Sequence, residues 1–542
     1  MQIADDQSTD TDIVRLIGTG EDDLVPLFTY LISNDGDERF FLQVSSPNRN
    51  LSRFSPHPFD TIALSQMLAL IEGRGYEKEA LVSNVRFYEA EILAHIGDDG
   101  EPQSPFTRPS TGAMARPALT EEIIGNLRLP ESDGDDCRIG SLARSGDASV
   151  PIIVNERIID HHILVAGATG SGKSHLLANL AHVADSMTRC IVLFDHKPDH
   201  QNHHERNLDA DESLQHAFDL WKGDADDGSE TSGSVRYWTL DKNDPNEHAR
   251  LLSLSARTLD PEILAGTVFH RASEENQAEA FATIVHAFSE KEDNNEWTVH
   301  DLVDFVRTKN ARDIDALFGD ATVQLHTSTL QAIKRKLFRS ESRIPAFIDP
   351  EPSNSALGEP KRKTGSIDDI FLPGLNVIRI SEGDARGYAL FLSHLLGRAA
   401  DVRSRSIQSD TSQAVNPAPE LLMIVDEAAD IFRADSRYLR SAATGMLAER
   451  IRKGRSLRIG YVIAVQDAGD VPENIRHNLN TTIVGRHRHL GTLREALPTV
   501  REGLLSSADK LDPGEMLVDL FGVPSLLLVK MDMSRSNLTV FS

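Results

Sequence analysis

The chain has 542 residues, a formal net charge of −27, 40% hydrophobic and 26% charged residues, an ordinary globular composition with room for two to four domains. Its only cysteines, Cys137 and Cys190, leave no disulfide framework and fit a reducing compartment. The acidity argues against a simple surface DNA binder, but not against a ring with an acidic outside and a locally positive channel.

No run approaches 18 apolar residues, and Met1–Asp12 is polar and acidic. We therefore expect a cytoplasmic protein with no membrane span and no secretory leader. Residues 13–130 read as a β-rich unit within a first domain over 1–136. Val25–Ile32 and Arg39–Val44 are expected strands, with Asp35-Gly36 between them as a hairpin signal. Arg86–Leu93 is a third strand, and a short helix is expected near Thr61–Ile71. A small barrel is the natural packing. A stretch with Pro102, Pro105, Pro109, Gly112 and Pro117 follows, and acidic Glu131–Asp136 reads as the hinge.

From 137 to 542 strand and helix patterns alternate, which predicts an α/β domain with a mostly parallel sheet. Ile163–Ala166 leads into the phosphate loop. The later strands are Ile191–Asp195, Arg236–Leu240, Asn376–Ser381, Leu421–Asp426, Tyr461–Gln466, Thr481–Val484, Met516–Leu520 and Leu526–Met531. Two inserts interrupt them. Residues 201–234 read as a helix plus a loop at 224–234. Residues 251–345 read as helical, with Phe281, Ile284, Val285 and Phe288 on one face and Thr298-x-x-Asp301 as a capping box. Residues 352–365 read as a linker and 404–418 as a loop.

Gly167-Ala168-Thr169-Gly170-Ser171-Gly172-Lys173-Ser174 fits G-x-x-x-x-G-K-[ST], in the strand–loop–helix context this motif needs. Glycines let backbone N–H groups turn inward on phosphates, and the following helix N-terminus, from Lys173 through His175, adds partial positive charge. Lys173 suits the β- and γ-phosphates of ATP, and Ser174 suits Mg2+. Leu421–Val425 ends in Asp426-Glu427: one carboxylate for the metal shell, one to polarise water, a pairing that favours hydrolysis. Asp195, in Phe194-Asp195-His196-Lys197-Pro198, is expected beside the nucleotide. Gln466 is either a γ-phosphate sensor or an ordinary polar strand end.

Arg450-Ile451-Arg452-Lys453-Gly454-Arg455 closes a helix whose buried face holds Leu439, Ala443, Met446, Leu447 and Ile451. These cations either complement the helix dipole or, through Arg452 or Arg455, act as an arginine finger on a neighbouring subunit. His196, His200, His203 and His204 match no zinc spacing and read by default as a polar loop. Lys334, Arg335, Lys336, Arg339 and Arg343, and Lys361–Lys363, could touch phosphates or be solvated.

Taken together, Asp160–Ser174, Ile424–Ala428, and Arg452–Arg455 with Gly460 and Val465-Gln466 resemble the HerA family of hexameric DNA-translocating ATPases, within the HerA–FtsK group. The N-terminal unit resembles that family's barrel, and Arg108–Gly112 with Glu121–Ile124 is similar to its link to the ATPase. The resemblance implies a RecA-like core, a homohexamer with ATP and Mg2+ at subunit interfaces, and double-stranded DNA in the channel. It also implies Lys173 and Ser174 on phosphate and metal, Asp426 and Glu427 as catalytic carboxylates, Gln466 as sensor and Arg452 as the finger in trans. Relatives work with a separate nuclease or effector, which docks on the barrel, in DNA end processing or antiviral defence. This chain departs from the pattern with His161-His162 in place of Arg-His and with Asp195-His196-Lys197-Pro198 after the second strand. Two other readings are an ATP-dependent ring scaffold that activates an effector, and a type IV secretion or conjugation-like ATPase.

Overall fold

The computed structural model describes residues 1–3, 12–18, 25–46, 49–50, 86–97, 100–130, 137–143, 150–222, 234–241, 243–269, 271–292, 297–316, 325–340, 345, 347–349, 363–380, 385–409, 418–432 and 437–539. The expected helix near Thr61–Ile71, the hinge at 131–136 and the loop at 224–233 lie outside them, as do most of the 352–365 linker and residues 410–417.

The N-terminal strands are β1 (Gln2–Ile3), β2 (Ile13–Gly18), β3 (Tyr30–Asp35), β4 (Glu38–Val44), β5 (Arg49–Asn50), β6 (Arg86–Ile96), β7 (Pro102–Gln103) and β8 (Met114–Pro117). They pair antiparallel in the order β2-β1-β8-β3-β4-β6-β5, and β2 also pairs with β6. That extra pairing joins the two ends of the path from β2 to β6, which removes its open edges. Val14, Leu16, Leu31, Phe40, Leu42, Tyr88 and Ile92 fill one core. The alternate residues Tyr30, Ile32 and Phe41 pack the other way, with Ile123 and Leu127, as period-two strands must. The Asp35-Gly36 hairpin forms, with Asp35 opposite Glu38. The strand expected from Val25 starts only at Tyr30. Pro26 has no N–H to donate, and Phe28 takes a left-handed φ of 67° that ends extended pairing.

The second sheet contains β9 (Arg138–Leu142), β10 (Pro151–Ile153), β11 (Ile163–Ala166), β12 (Cys190–Asp195), β13 (Val235–Thr239), β14 (Arg250–Leu252), β15 (Thr364–Gly365), β16 (Gly374–Arg379), β17 (Leu421–Val425), β18 (Ile459–Val465), β19 (Thr481–Val484), β20 (Glu515–Asp519) and β21 (Leu527–Met531). The order is β10-β9-β21-β20-β19-β11-β18-β17-β12-β16-β13-β14-β15. Pairing is parallel from β19 to β15 and antiparallel on the other side. The central strands are apolar throughout because both faces are covered. Leu164 and Ala166 face a core with Tyr388 and Leu447; Ile163 and Val165 face one with Leu176 and Leu180.

The insert is helical as expected, over 261–268, 275–291, 299–308, 311–315 and 327–340, and Leu264, Phe281 and Ile284 share a core with sheet residue Phe194. The Thr298/Asp301 capping box forms. Lys334 Nζ donates to the carbonyls of Arg307 (3.1 Å) and Lys309 (2.6 Å), and Lys336 pairs with Glu274 (2.6 Å), so both act within the insert. Two expected loops differ. Residues 385–409 are one helix, pinned by Arg403 on the Leu457 carbonyl at 2.9 Å. Thr364–Gly365, at the end of the expected linker, is the edge strand β15.

Candidate nucleotide site

β11 delivers its chain between β18 and β19 and stops at Gly167. A Cβ on Gly167 would lie 2.8 Å from Ser171 Oγ and 3.2 Å from Gly485 Cα, so only glycine fits that close approach. Gly172 caps the following helix, Lys173–Ser186, at φ 99°, a region side chains avoid. Ala168, Thr169 and Gly170 form the exposed tip, whereas Ser171 is buried. The loop therefore presents backbone N–H groups at the start of a 14-residue helix, the arrangement that binds phosphates.

Lys173 Nζ folds back onto the carbonyls of Gly167 (2.5 Å) and Ala168 (3.3 Å). Burial lowers its pKa, and the charges of Asp426 and Glu427 oppose that shift. Ser174 Oγ donates to Asp199 Oδ2 at 2.9 Å. Asp426 and Glu427 follow β17, two strands from β11, with β18 between. Glu427 has a left-handed φ of 49° and donates its N–H to Asp426 Oδ1 at 2.9 Å. Burial, then the charge of Glu427, pushes the Asp426 carboxyl up to about 6. Gln466, just past β18, donates to Glu427 Oε2 at 3.2 Å, and Lys197 Nζ lies 3.3 Å from the same oxygen. Lys173, Ser174, Asp426, Glu427 and Gln466 thus meet at the C-terminal ends of β11, β17 and β18, where open α/β sheets bind ligands.

Four other expected residues lie outside this cluster of contacts. Asp195 is fully buried and accepts from Gln201 Nε2 at 2.5 Å; burial holds its pKa well above the usual carboxylate range. The His175 side chain accepts the Ser534 N–H at 3.0 Å. Arg452 and Arg455 are exposed on the helix Arg437–Leu457, in its last two turns. His162, in the departing His-His pair, is buried at φ 65° with Nε2 2.8 Å from the Ile451 carbonyl, and burial lowers its pKa to about 4. His161 stacks on Phe521 at 4.0 Å.

Sequence reasoning missed Lys197, which holds Glu427, and Asp199, which holds Ser174. Both lie in or just after the singled-out Asp195–Pro198 turn. Pro198 opens a short 3-10 turn there, and that turn carries Asp199 toward the phosphate-loop helix. His200 and His203 are buried and bonded to each other at 3.0 Å. Among the described residues no His, Cys, Asp and Glu group has a metal-holding arrangement of its own.

The sheet order, the phosphate loop and the carboxylate pair two strands away define a phosphate-loop ATPase. The family model for the central domain of helicase HerA matches residues 137–399. The DNA double-strand break repair helicase HerA of Sulfurisphaera tokodaii is 23% identical over 450 residues, 81% of this chain and 77% of that protein. The helicase of the same name from Sulfolobus acidocaldarius is 23% identical over 476 residues, covering 84% and 81%. Among solved structures, the bacterial conjugative coupling protein TrwB aligns at TM-score 0.50 and 15% identity, over 80% of this chain and 96% of that one, a likeness of fold. The chain is thus a phosphate-loop ATPase that carries a match to the HerA central domain and is similar to HerA helicases over most of its length.

Proposed function

We propose that this ATPase is a double-stranded DNA translocase or helicase that works as a hexameric ring. The observation that supports the reading is the meeting of Lys173, Ser174, Asp426, Glu427 and Gln466 around one phosphate loop, together with the DNA helicases to which the chain is similar. Lys173 exchanges the Gly167 and Ala168 carbonyls for the β- and γ-phosphates of ATP. Glu427, held by Gln466 and Lys197, orients the attacking water and takes its proton. Gln466 reports the γ-phosphate. Arg452, with Arg455 beside it, reaches the γ-phosphate held by a neighbouring subunit, where charge builds in the transition state.

The donors around Ser174 are all oxygens: its hydroxyl, Asp199 and the nearby Asp426. Hard oxygen donors suit Mg2+, and a carboxyl raised by burial beside a second carboxylate is relieved by a cation. Ser174 and Asp426 would hold the ion. It supplies Lewis-acid charge on the phosphate oxygens.

In this reading residues 1–136 form the barrel domain and 137–542 the motor, which acts in the cytoplasm. A separate nuclease or effector docks on the barrel, in DNA end processing or antiviral defence. Exposed Phe106, Met114, Leu119 and Ile124, on and beside the barrel strands, suit such a partner. No helix among the described residues is long and apolar enough to cross a membrane. The test is ATP hydrolysis with and without linear double-stranded DNA, beside the mass in solution. A hexamer strongly stimulated by DNA is expected. A hexamer with DNA-indifferent turnover replaces the motor with a ring scaffold, and a stable monomer removes the finger in trans.

A further inference from the structure

Residues 532–539 follow β21 and cross the phosphate-loop helix to reach the loop 196–207, which carries Lys197 and Asp199. On the helix, Asn179 Nδ2 donates to the carbonyls of Asp532 (3.1 Å) and Met533 (3.2 Å), and its Oδ1 accepts the Arg535 N–H at 3.4 Å. His175 takes the Ser534 N–H. In the middle, buried Ser536 Oγ lies 2.7 Å from His203 Nδ1 and 3.1 Å from His182 Nε2. One end of that bridge is on the helix, the other on the loop. Beyond it, the Asn537 N–H donates to the Glu205 carbonyl at 2.8 Å, and the Thr539 N–H donates to the carbonyl of Asp199 itself at 2.9 Å. Asn202 Nδ2 donates to Thr539 Oγ1 at 3.1 Å.

Loop 196–207 has one three-residue 3-10 turn of its own, so its order comes from what it is bonded to. The segment is also fastened from the sheet side, where Asp532 pairs with Arg138 at 2.9 Å and Arg535 donates to the Arg138 carbonyl at 3.2 Å. We propose that residues 532–539 are a positioning strap, with Ser536 as its hub, that holds Asp199 on the Ser174 hydroxyl and Lys197 on Glu427. The metal side of the nucleotide site is then assembled before nucleotide arrives. This rests on the reading of that site as one for Mg2+–nucleotide. The strap acts through Asp199 and Lys197, so its residues are positioning residues. Outer-shell partners of this kind set metal affinity by fixing ligand orientation.

The test uses the full chain with Ser536→Ala and, separately, Thr539→Pro, which deletes the N–H donated to Asp199 without emptying the Ser536 hub. Binding of a fluorescent ADP is titrated with Mg2+ and with EDTA, and amide exchange is followed over 196–205. Both variants should weaken Mg2+–ADP about 10-fold, the low end for outer-shell changes. Binding in EDTA, which rests on the phosphate loop alone, should stay within about twofold, and exchange over 196–205 should rise. Equal losses with and without Mg2+ overturn the proposal in favour of plain structural support, as does unchanged binding by both folded variants. Lys173→Ala separates the two failures. If it leaves ADP binding intact, the site reading is wrong; if it abolishes binding while both strap variants are silent, only the strap is.

Discussion

Asp426→Asn should stabilise the nucleotide-free chain while removing its ATPase activity. The buried Asp426 carboxyl is raised from 3.8 to about 6 by desolvation and by Glu427. A carboxyl whose folded pKa is raised contributes most to stability when protonated, below its unfolded pKa, and that contribution is lost as pH climbs through the folded value. The 2.2-unit difference between 3.8 and about 6 corresponds to about 3 kcal/mol at pH 7.5 and about 1.6 kcal/mol at pH 5, at 1.36 kcal/mol per unit. Asparagine carries no such cost, and its carbonyl can still accept the Glu427 N–H. With about 2.1 cal/mol/K of unfolding entropy per residue over about 400 residues, 3 kcal/mol is about 3–4 °C in Tm. The assay is thermal unfolding in EDTA without nucleotide at pH 7.5 and pH 5, beside ATP turnover with Mg2+. Asp426→Asn should melt higher at pH 7.5, with a gain roughly halved at pH 5, and be inactive. A lower Tm at pH 7.5, or a gain that does not shrink with pH, refutes the picture of a buried carboxylate strained by its neighbour.

Lys173→Ala should lose ATP binding and turnover while keeping its circular dichroism and Tm, because its amine bonds to backbone carbonyls of its own loop, at Gly167 and Ala168; undiminished hydrolysis refutes the site. Glu427→Gln should still bind ATP and turn over about 10²–10⁴-fold more slowly, the usual worth of a general base. Arg452→Ala should bind ATP with turnover reduced by about 10³-fold or more, as for other arginine fingers. Mixing Arg452→Ala with Glu427→Gln subunits should restore part of the activity, and no recovery in mixed rings argues against a finger in trans.

Contiguous features were legible in the sequence. The phosphate loop is one unbroken string whose glycines, lysine and serine need only the strand before and the helix after. Asp426-Glu427 shows because β17 is buried on both faces and so reads as five apolar residues ending in two charges. Most core strands fall within a residue or two of their expected limits for the same reason. The Asp35-Gly36 turn needs nothing distant either.

Tertiary structure decided what depends on residues far apart in the chain. Which acid of Asp195 and Asp199 meets Ser174 turns on a three-residue 3-10 turn whose direction no local pattern encodes. That Gln466 and Lys197 share the Glu427 carboxylate follows from a strand order in which β18 separates β11 from β17. The β2–β6 pairing and the Ser536–His203 bridge join segments more than 60 and 300 residues apart. Hydrogen bonds of that range leave no periodicity in a sequence: one serine among polar neighbours looks like any surface serine until folding buries it.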